Sequence, residues 1–578
     1  MHPQHTATPS RLTATATRKL PRMALLCLAA VYILAGLFFR DPWKSDDIIG
    51  VATMLTALRE GPLGWLLPQI GNYAYAQGGP LPTWAGAITI WLAGPIMGDF
   101  AAARLPNLIW FGIMASATWY GTYLLGRRPE AQPLALPFGG EPKARDYGRM
   151  LADTALLLVL ATVGILLRVH ESSSMPAMLA CLALAYYGMA RMLDKPLSGA
   201  ATLGLALAGA LLTRGLPGAL PILLAMLILL LLPAPRHVSL PRQWLVAALA
   251  LAALLFLAWY MPARAANPYW VDQWLGWNLG QFGAPKATVI LRTLRDLSWF
   301  LWPTWPLALL ALWRWRQWTA APHIRLPASL AAGAVLCLLA MGEPFEPEFA
   351  MLVLPFAVLA AFALPTLRRG VVNTLDWFAI MCFSLTVASV WLGWVALHFG
   401  WPTKIAGNIA RQTTGFEPHI NLLATLLALV TTGLWAALVS WRLRTQPTAL
   451  WRGTILSACG LTATWVLLAL LWLPAIDYAR SYRATSEELS QAIAANIRPG
   501  ECVRSAGLGL AQRAAFQVFS NLNFDFSGNC NLVLLQTTNR RLESAGLPSL
   551  AREGQILWRG GRTADRHEVF FLVRRAAP

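Results

Sequence analysis

Apolar runs long enough to cross a lipid bilayer recur along most of the chain, and they constrain the fold more than any other feature. Two examples are "MALLCLAAVYILAGLFF" (23–39) and "LPGALPILLAMLILLLLP" (216–233). A helix of about 20 apolar residues spans the hydrocarbon core. Within lipid every backbone amide and carbonyl must find its partner inside the segment, so runs of this kind fold as helices. Only 13% of residues are charged, about half of the roughly 25% usual in soluble domains. The class is a polytopic α-helical membrane protein.

By length the expected spans are 23–39, 101–125, 151–168, 174–192, 199–213, 217–233, 243–262, 297–313, 327–341, 350–365, 374–396, 420–441 and 453–474, about 13 in all. The run "LPTWAGAITIWLAGPI" (81–96) is short and ends in Gly-Pro, which suits an interfacial or re-entrant helix. The polar, basic start of the chain and the lack of a small-residue cleavage site after the first run lead us to expect a retained first span, with residues 1–22 in the cytoplasm. Loops then alternate, with about 21 Lys and Arg inside against about 12 outside, as the positive-inside rule requires. Topology therefore accounts for the formal net charge of +19, and no nucleic-acid partner is expected.

Acids do not obey that rule, yet Asp41, Asp46, Asp47, Glu60, Asp99, Glu171, Asp272, Glu343, Glu346, Glu348 and Glu417 all fall in expected outer loops. Their gathering on one face points to a site there. The expected transmembrane domain is 23–476, with a first outer loop at 40–100. An odd span count places the remainder, 477–578, outside. There "SYRATSEELSQAIAANI" reads as an amphipathic helix, "ECVRS", "NLVLLQ" and "HEVFFLV" as strands, and "RPG" and "SGN" as turns. This is a small α/β domain. Cys27, Cys181, Cys337, Cys382 and Cys459 lie in apolar runs and behave as small hydrophobes. Cys502 and Cys530 lie in the outer domain, either as a disulfide or as two free thiols.

Six motifs carry candidate chemistry. "SDD" puts Asp46 and Asp47 at the mouth of the first outer loop, where an acid can act as general base or hold a divalent cation, or simply cap a helix. "QGGPLPTW" ends in Trp84 and fixes a bend. "RVHESSSMP" sets His170 and Glu171 side by side at a span end, where ionisable residues are functional candidates; they could orient a substrate, and Glu171 with Asp46 could ligate a metal. "LLTRGLPG" carries one cation, Arg214, at the tip of a membrane hairpin, suited to a phosphate or to snorkelling. "AANPYWVDQWLGWNLGQFGAPK" holds Gln281 and Lys286 just after Arg264, and reads as a sugar-stacking surface or an aromatic belt. "GEPFEPEF" clusters Glu343, Glu346 and Glu348. Walker, Rossmann and HExxH signatures are absent from the sequence.

Taken in order, "WKSDD", "GGPLPTW", "AARLPN" and "LTRGLPG" resemble the membrane-embedded GT-C glycosyltransferases, specifically the bacterial aminoarabinose-transferase and protein-mannosyltransferase-like group. The likeness covers about the first 240 residues; later segments match loosely. It implies a GT-C-like fold with outer-face juxtamembrane helices and a periplasmic α/β tail. It also implies an inverting transferase of the bacterial inner membrane. The sugar would pass from a polyprenyl (undecaprenyl) phosphate donor to a lipid, glycan or protein acceptor at the periplasmic face. Asp46 matches the acid that acts as base or meets a metal, Asp47 its acidic neighbour, and Arg214 the lysine that meets the lipid phosphate. Gly78 and Gly79 replace the usual Lys of Lys-Pro-Pro, Glu348 and Phe349 a late cation, and Gln281-Phe282 an Arg-Phe, so phosphate contacts would fall to Arg214 with Arg264 and Lys286. A flippase for polyprenyl-linked glycans would need repeated halves and charged midspan residues, which are not evident. A non-catalytic scaffold is the other alternative.

Overall fold

The computed structural model describes residues 8–137, 139–233, 239–445, 449–525, 530–565 and 567–575. The "SGN" turn falls outside them. Every expected span except 297–313 and the bent 151–168 overlaps a single principal helix. Among the described residues seven helices are long and apolar enough to cross a membrane; Ala144–Ala161 with Val163–His170, bent by 62°, makes an eighth as a broken span. The first span is shorter than expected, Arg22–Leu34.

One expectation needs correction. The run 297–313 is not a single span. An amphipathic helix, Ala287–Phe300, ends before Pro303, and a second helix, Thr304–Arg314, follows. Pro303 has no amide hydrogen to continue the first helix. Leu291 and Trp299 are exposed on the Ala287–Phe300 helix, which suits a helix lying along a membrane surface.

The expected interfacial run is the helix Leu81–Met97. One flank packs on the helix Asp46–Arg59: Gly86 sits so close that a Cβ there would lie 2.2 Å from the Met54 sulfur. The other flank exposes Trp91, Leu92 and Ile96. Deep in the bundle, Ala144–Ala161, Met175–Met192 and Val353–Ala363 are buried along most of their length. Small residues admit close helix contacts, as membrane helices require. A Cβ on Gly199 would meet the Met192 backbone at 2.4 Å.

The C-terminal domain forms a four-stranded sheet. With β1 (Gln69–Ile70) and β2 (Tyr73–Ala74) pairing as a hairpin in the first loop, the sheet strands are β3 (Val503–Ala506), β4 (Leu532–Thr538), β5 (Gln555–Gly560) and β6 (Glu568–Arg574). Their order is β3-β4-β6-β5. β3 and β4 run parallel, and the other pairs antiparallel. The helix Leu510–Ser520 lies in the crossover between β3 and β4. β5 was not expected from sequence: a register shift between Ile556 and Trp558 breaks its alternation. Cys502 and Cys530 form a disulfide.

Strand alternation sorts this domain into two faces. Val533, Leu535, Val569, Phe571 and Val573 share one cluster. Leu532, Leu534, Phe570 and Leu572 share another, and Ile48, Ile49, Ala52 and Ile70 of the first loop join it. We call this end of the molecule the head. Polar bonds tie the same two parts. Asp477 accepts from the Asp41 amide at 3.0 Å and from Trp43 Nε1 at 2.7 Å. Gln517 donates to Thr56 at 2.9 Å, and Arg483 binds Asp41.

Candidate active site

The first-loop helix Asp46–Arg59 begins with the two adjacent aspartates, and the structure gives them different surroundings. Asp47 is buried, 1% exposed. Its Oδ2 accepts from Arg40 at 2.7 Å, from Arg104 at 3.2 Å and from the Trp43 amide at 3.1 Å; its Oδ1 accepts from the Ser172 amide at 2.6 Å. Burial alone would raise its pKa. The two guanidiniums and two amides outweigh that and hold the carboxyl below its usual range. Arg104 also donates to the Arg40 carbonyl at 2.7 Å, and Arg40 to the His170 carbonyl at 2.8 Å. Asp47 thus fastens three distant segments together.

Asp46 lies on the other side of the helix start. It lines a small cavity with Thr53, Tyr75, Gly78, Gly79, Ser172 and Arg214, among others. Among the described residues its side chain has no hydrogen-bond partner. Two glycines let the walls close. A Cβ on Gly50 would lie 1.5 Å from the Ser172 carbonyl oxygen, and one on Gly79 would lie 2.0 Å from the Leu212 carbonyl oxygen. The Gly79 amide donates to the Thr213 carbonyl at 3.0 Å. The "QGGPLP" and "LLTRGLPG" motifs therefore interlock as two walls of one cavity.

Arg214 closes the helix Pro196–Arg214. Its Nη2 donates to Glu348 Oε1 at 2.8 Å, and its guanidinium stacks over Trp277, 5.2 Å from the ring centroid. Glu348 Oε2 accepts from the Phe345 amide at 3.1 Å. Tyr75 faces both ends of the cavity, sensing the charges of Arg214 and Asp46; burial pushes its hydroxyl up to about 12.

The fold around this site is shared over most of the chain with a solved structure. The structure of ArnT from Cupriavidus metallidurans bound to undecaprenyl phosphate superposes with a TM-score of 0.65 at 13% identity, covering 95% of this chain and 97% of that one. The apo structure of the same protein gives 0.61 at 14% identity, with the same coverage. The chain has a GT-C-like fold. No family model and no curated protein sequence matches it.

Within this GT-C-like frame the other expected residues spread out. His170 is buried, with its ring nitrogens at the carbonyls of Leu166 and Tyr32, 2.6 and 2.9 Å away, and it does not line the Asp46 cavity. Glu171 lies behind the cavity wall, 3.1 Å from Arg168. Burial pushes its carboxyl up to about 7, with Arg168 opposing and Asp47 and Asp46 adding to the rise. Trp84 is half-buried and donates to the Trp65 carbonyl. Gln281 pairs through its backbone with Gly342 at 3.1 Å. Arg264 forms an exposed pair with Asp272 at 2.8 Å, and Lys286 is exposed where the Ala287–Phe300 helix begins. Neither cation lines the Asp46 cavity.

Asp46 lines the cavity, and Glu171 is not among the residues lining it. Arg168 holds the Glu171 carboxylate, whereas a divalent cation needs several oxygen ligands converging on one point. Among the described residues the only group of three or more His, Cys, Asp and Glu side chains close enough to share a cation is Cys502, Asp525 and Cys530, and both cysteines are in the disulfide.

Tyr75, Thr53 and Ser172 were not expected as site residues. Each reads in sequence as an ordinary loop or helix residue. Glu348 was noted for its charge, but its pairing with Arg214 could not be read from spacing.

A second cleft is lined by other residues. It is apolar, about 360 Å³, and lined by Val289, Leu294, Leu297, Trp305, Leu338 and Phe356, with Pro285 and Pro344 also in its wall. Pro344 belongs to the same loop as Glu348, the partner of Arg214.

Proposed function

We propose that this protein is an inverting glycosyltransferase that takes a sugar from a polyprenyl phosphate donor, undecaprenyl phosphate in bacteria, and passes it to a lipid, glycan or protein acceptor. The observation that carries the reading is the opposition of an unpartnered carboxylate, Asp46, and an anchored guanidinium, Arg214, across one cavity. Asp46 takes the proton of the acceptor hydroxyl or amine. The freed nucleophile attacks the anomeric carbon, the bond from that carbon to the phosphate oxygen breaks, and the phosphate leaves with the electron pair. Arg214 offers the leaving phosphate a planar pair of donors. Asp47 keeps the loop helix in place and touches no substrate.

The apolar cleft lined in part by Pro344 suits the polyprenyl chain, because it offers dry surface on the loop whose Glu348 holds Arg214. The solved ArnT relative bound to undecaprenyl phosphate supports the same donor class. The disulfide in the head supports a periplasmic position at the inner membrane, since such bonds persist in oxidising compartments.

The test is Asp46→Asn in proteoliposomes supplied with a polyprenyl-phosphate sugar. Transfer should fall by about 10²–10⁴-fold, the usual contribution of a general base, while yield and thermal midpoint stay at wild-type values. Wild-type transfer by this variant would refute the assignment. Envelope glycans of a deletion strain, compared by mass spectrometry, would identify the acceptor.

A further inference from the structure

At the end of the molecule opposite the head, four chain segments meet around a cavity of about 500 Å³. The N-terminal arm contributes Arg11, Thr13 and Thr15; the start of the helix Arg369–Phe399 contributes Arg369, Asn373 and Trp377; the end of Leu422–Arg444 contributes Arg442; and the start of Arg452–Leu471 contributes Arg452. The arm is held there by backbone bonds, Arg11 N to the Pro365 carbonyl at 3.4 Å and Leu450 N to the Ala16 carbonyl at 3.0 Å.

Two of the four guanidiniums are tied to one buried carboxylate. Asp376 Oδ2 lies 2.7 Å from Arg442 Nη2 and 3.1 Å from Arg452 Nε. Asn373 Oδ1 accepts from Arg452 Nη2 at 2.6 Å. Arg11 and Arg369 have no ion pair among the described residues, and no lining residue is acidic. Four cations against one carboxylate leave a net charge of +3 around a single cavity. Topology explains arginines at span ends. It does not explain why segments from four parts of the chain aim them at one space, with Asp376 and Asn373 fixing the inner pair. The remaining wall is apolar, with Leu12, Leu367, Val372 and Leu450 beside Trp377.

We infer that this cavity binds a phosphate group at the membrane surface, with the arginines gripping the phosphate and the apolar wall receiving what is attached to it. Guanidinium forks match phosphate oxygens in pairs. Two sources carry that chemistry, an anionic phospholipid headgroup and a soluble phosphate compound. The site is separate from the proposed reaction at the head and stands or falls independently of it.

The full-length protein is reconstituted in phosphatidylcholine nanodiscs with and without phosphatidylglycerol, and separately titrated in detergent with inorganic phosphate. Retained lipid is read by native mass spectrometry, and the thermal midpoint is followed in parallel. Preferential retention of phosphatidylglycerol with a raised midpoint supports a lipid source. A raised midpoint with inorganic phosphate and no lipid preference supports a soluble one. In either case the Arg11→Gln/Arg369→Gln variant should weaken the effect about tenfold or more, on the basis of roughly 1 kcal/mol per cation near the surface. Arg314→Gln/Arg316→Gln, which removes the same charge outside the cavity, should keep it. These replacements leave the Asp376 pairs untouched. Wild-type protein that shows neither lipid preference nor phosphate stabilisation overturns the inference without any variant. Equal weakening in both variants overturns it as well.

Discussion

Arg214 Nη2 donates to Glu348 Oε1 across 2.8 Å, joining residues 134 positions apart. The pair sets the guanidinium's direction and cancels part of its charge, so the loss of either partner should have a distinct effect. On the proposed function, Arg214→Gln would remove a charged hydrogen bond to the donor phosphate, worth about 1.5–3 kcal/mol. The donor KM should rise by roughly 10- to 100-fold. Glu348→Gln keeps the cation but frees it to swing, so kcat should fall more than donor binding. Steady-state transfer with varied donor separates the two; identical KM and kcat changes in both variants would contradict this division of roles.

Asp47 should behave as a structural residue. Breaking a buried charge cluster by removing one member costs about 3–5 kcal/mol. Asp47→Asn and Arg104→Gln should each lower the thermal midpoint markedly and reduce yield. Asp46→Asn should do neither. Unfolding followed by tryptophan fluorescence in detergent distinguishes the neighbours, and equal midpoints for both aspartate variants would show that the two carboxylates are not divided in this way.

Gly50 should tolerate no side chain. An added methyl lies 1.5 Å from the Ser172 carbonyl oxygen, so backbone must move on one side. Gly50→Ala should displace the wall at 172–174 and depress transfer at least tenfold, an expectation drawn from the sensitivity of aligned sites to shifts of about 1 Å. A fully active Gly50→Ala enzyme would mean that the wall at Ser172 does not shape the site.

Glu171 predicts a pH dependence. Its folded pKa stands above the unfolded value, at about 7 instead of 4.5. The folded state therefore holds a proton that the unfolded state has released between these values, and stability falls as pH rises from about 4.5 to about 7, by roughly 3 kcal/mol. Above that window the curve is flat for this group. Glu171→Gln should flatten the slope within the window. Parallel wild-type and variant midpoint curves against pH would show that Glu171 does not titrate there.

Much of the fold was legible because membrane insertion is a local requirement. An apolar run such as 422–444 must be a helix wherever it lies in the bundle. The exceptions are informative. The run 297–313 was apolar enough to read as one span, but Pro303 divides it. β5 carried too irregular an alternation to be read as a strand. At the site, motif order led to Asp46 and Arg214. It also led to His170, Arg264, Lys286 and Gln281, which the fold sets at two buried backbone carbonyls, in an exposed ion pair, at an exposed helix start and in a backbone contact.

The sequence by itself determined the membrane class, where the helices run, the small α/β domain and the acid and cation motifs, because each depends on residues near one another in the chain. Only the tertiary structure decided which of two adjacent aspartates is open. Successive residues on a helix point about 100° apart. Asp47 therefore turns into Arg40, Arg104 and the Ser172 amide, while Asp46 faces a cavity walled by segments far away in sequence. Which neighbours those are is settled by packing, and with them whether a carboxylate is bound up or left open.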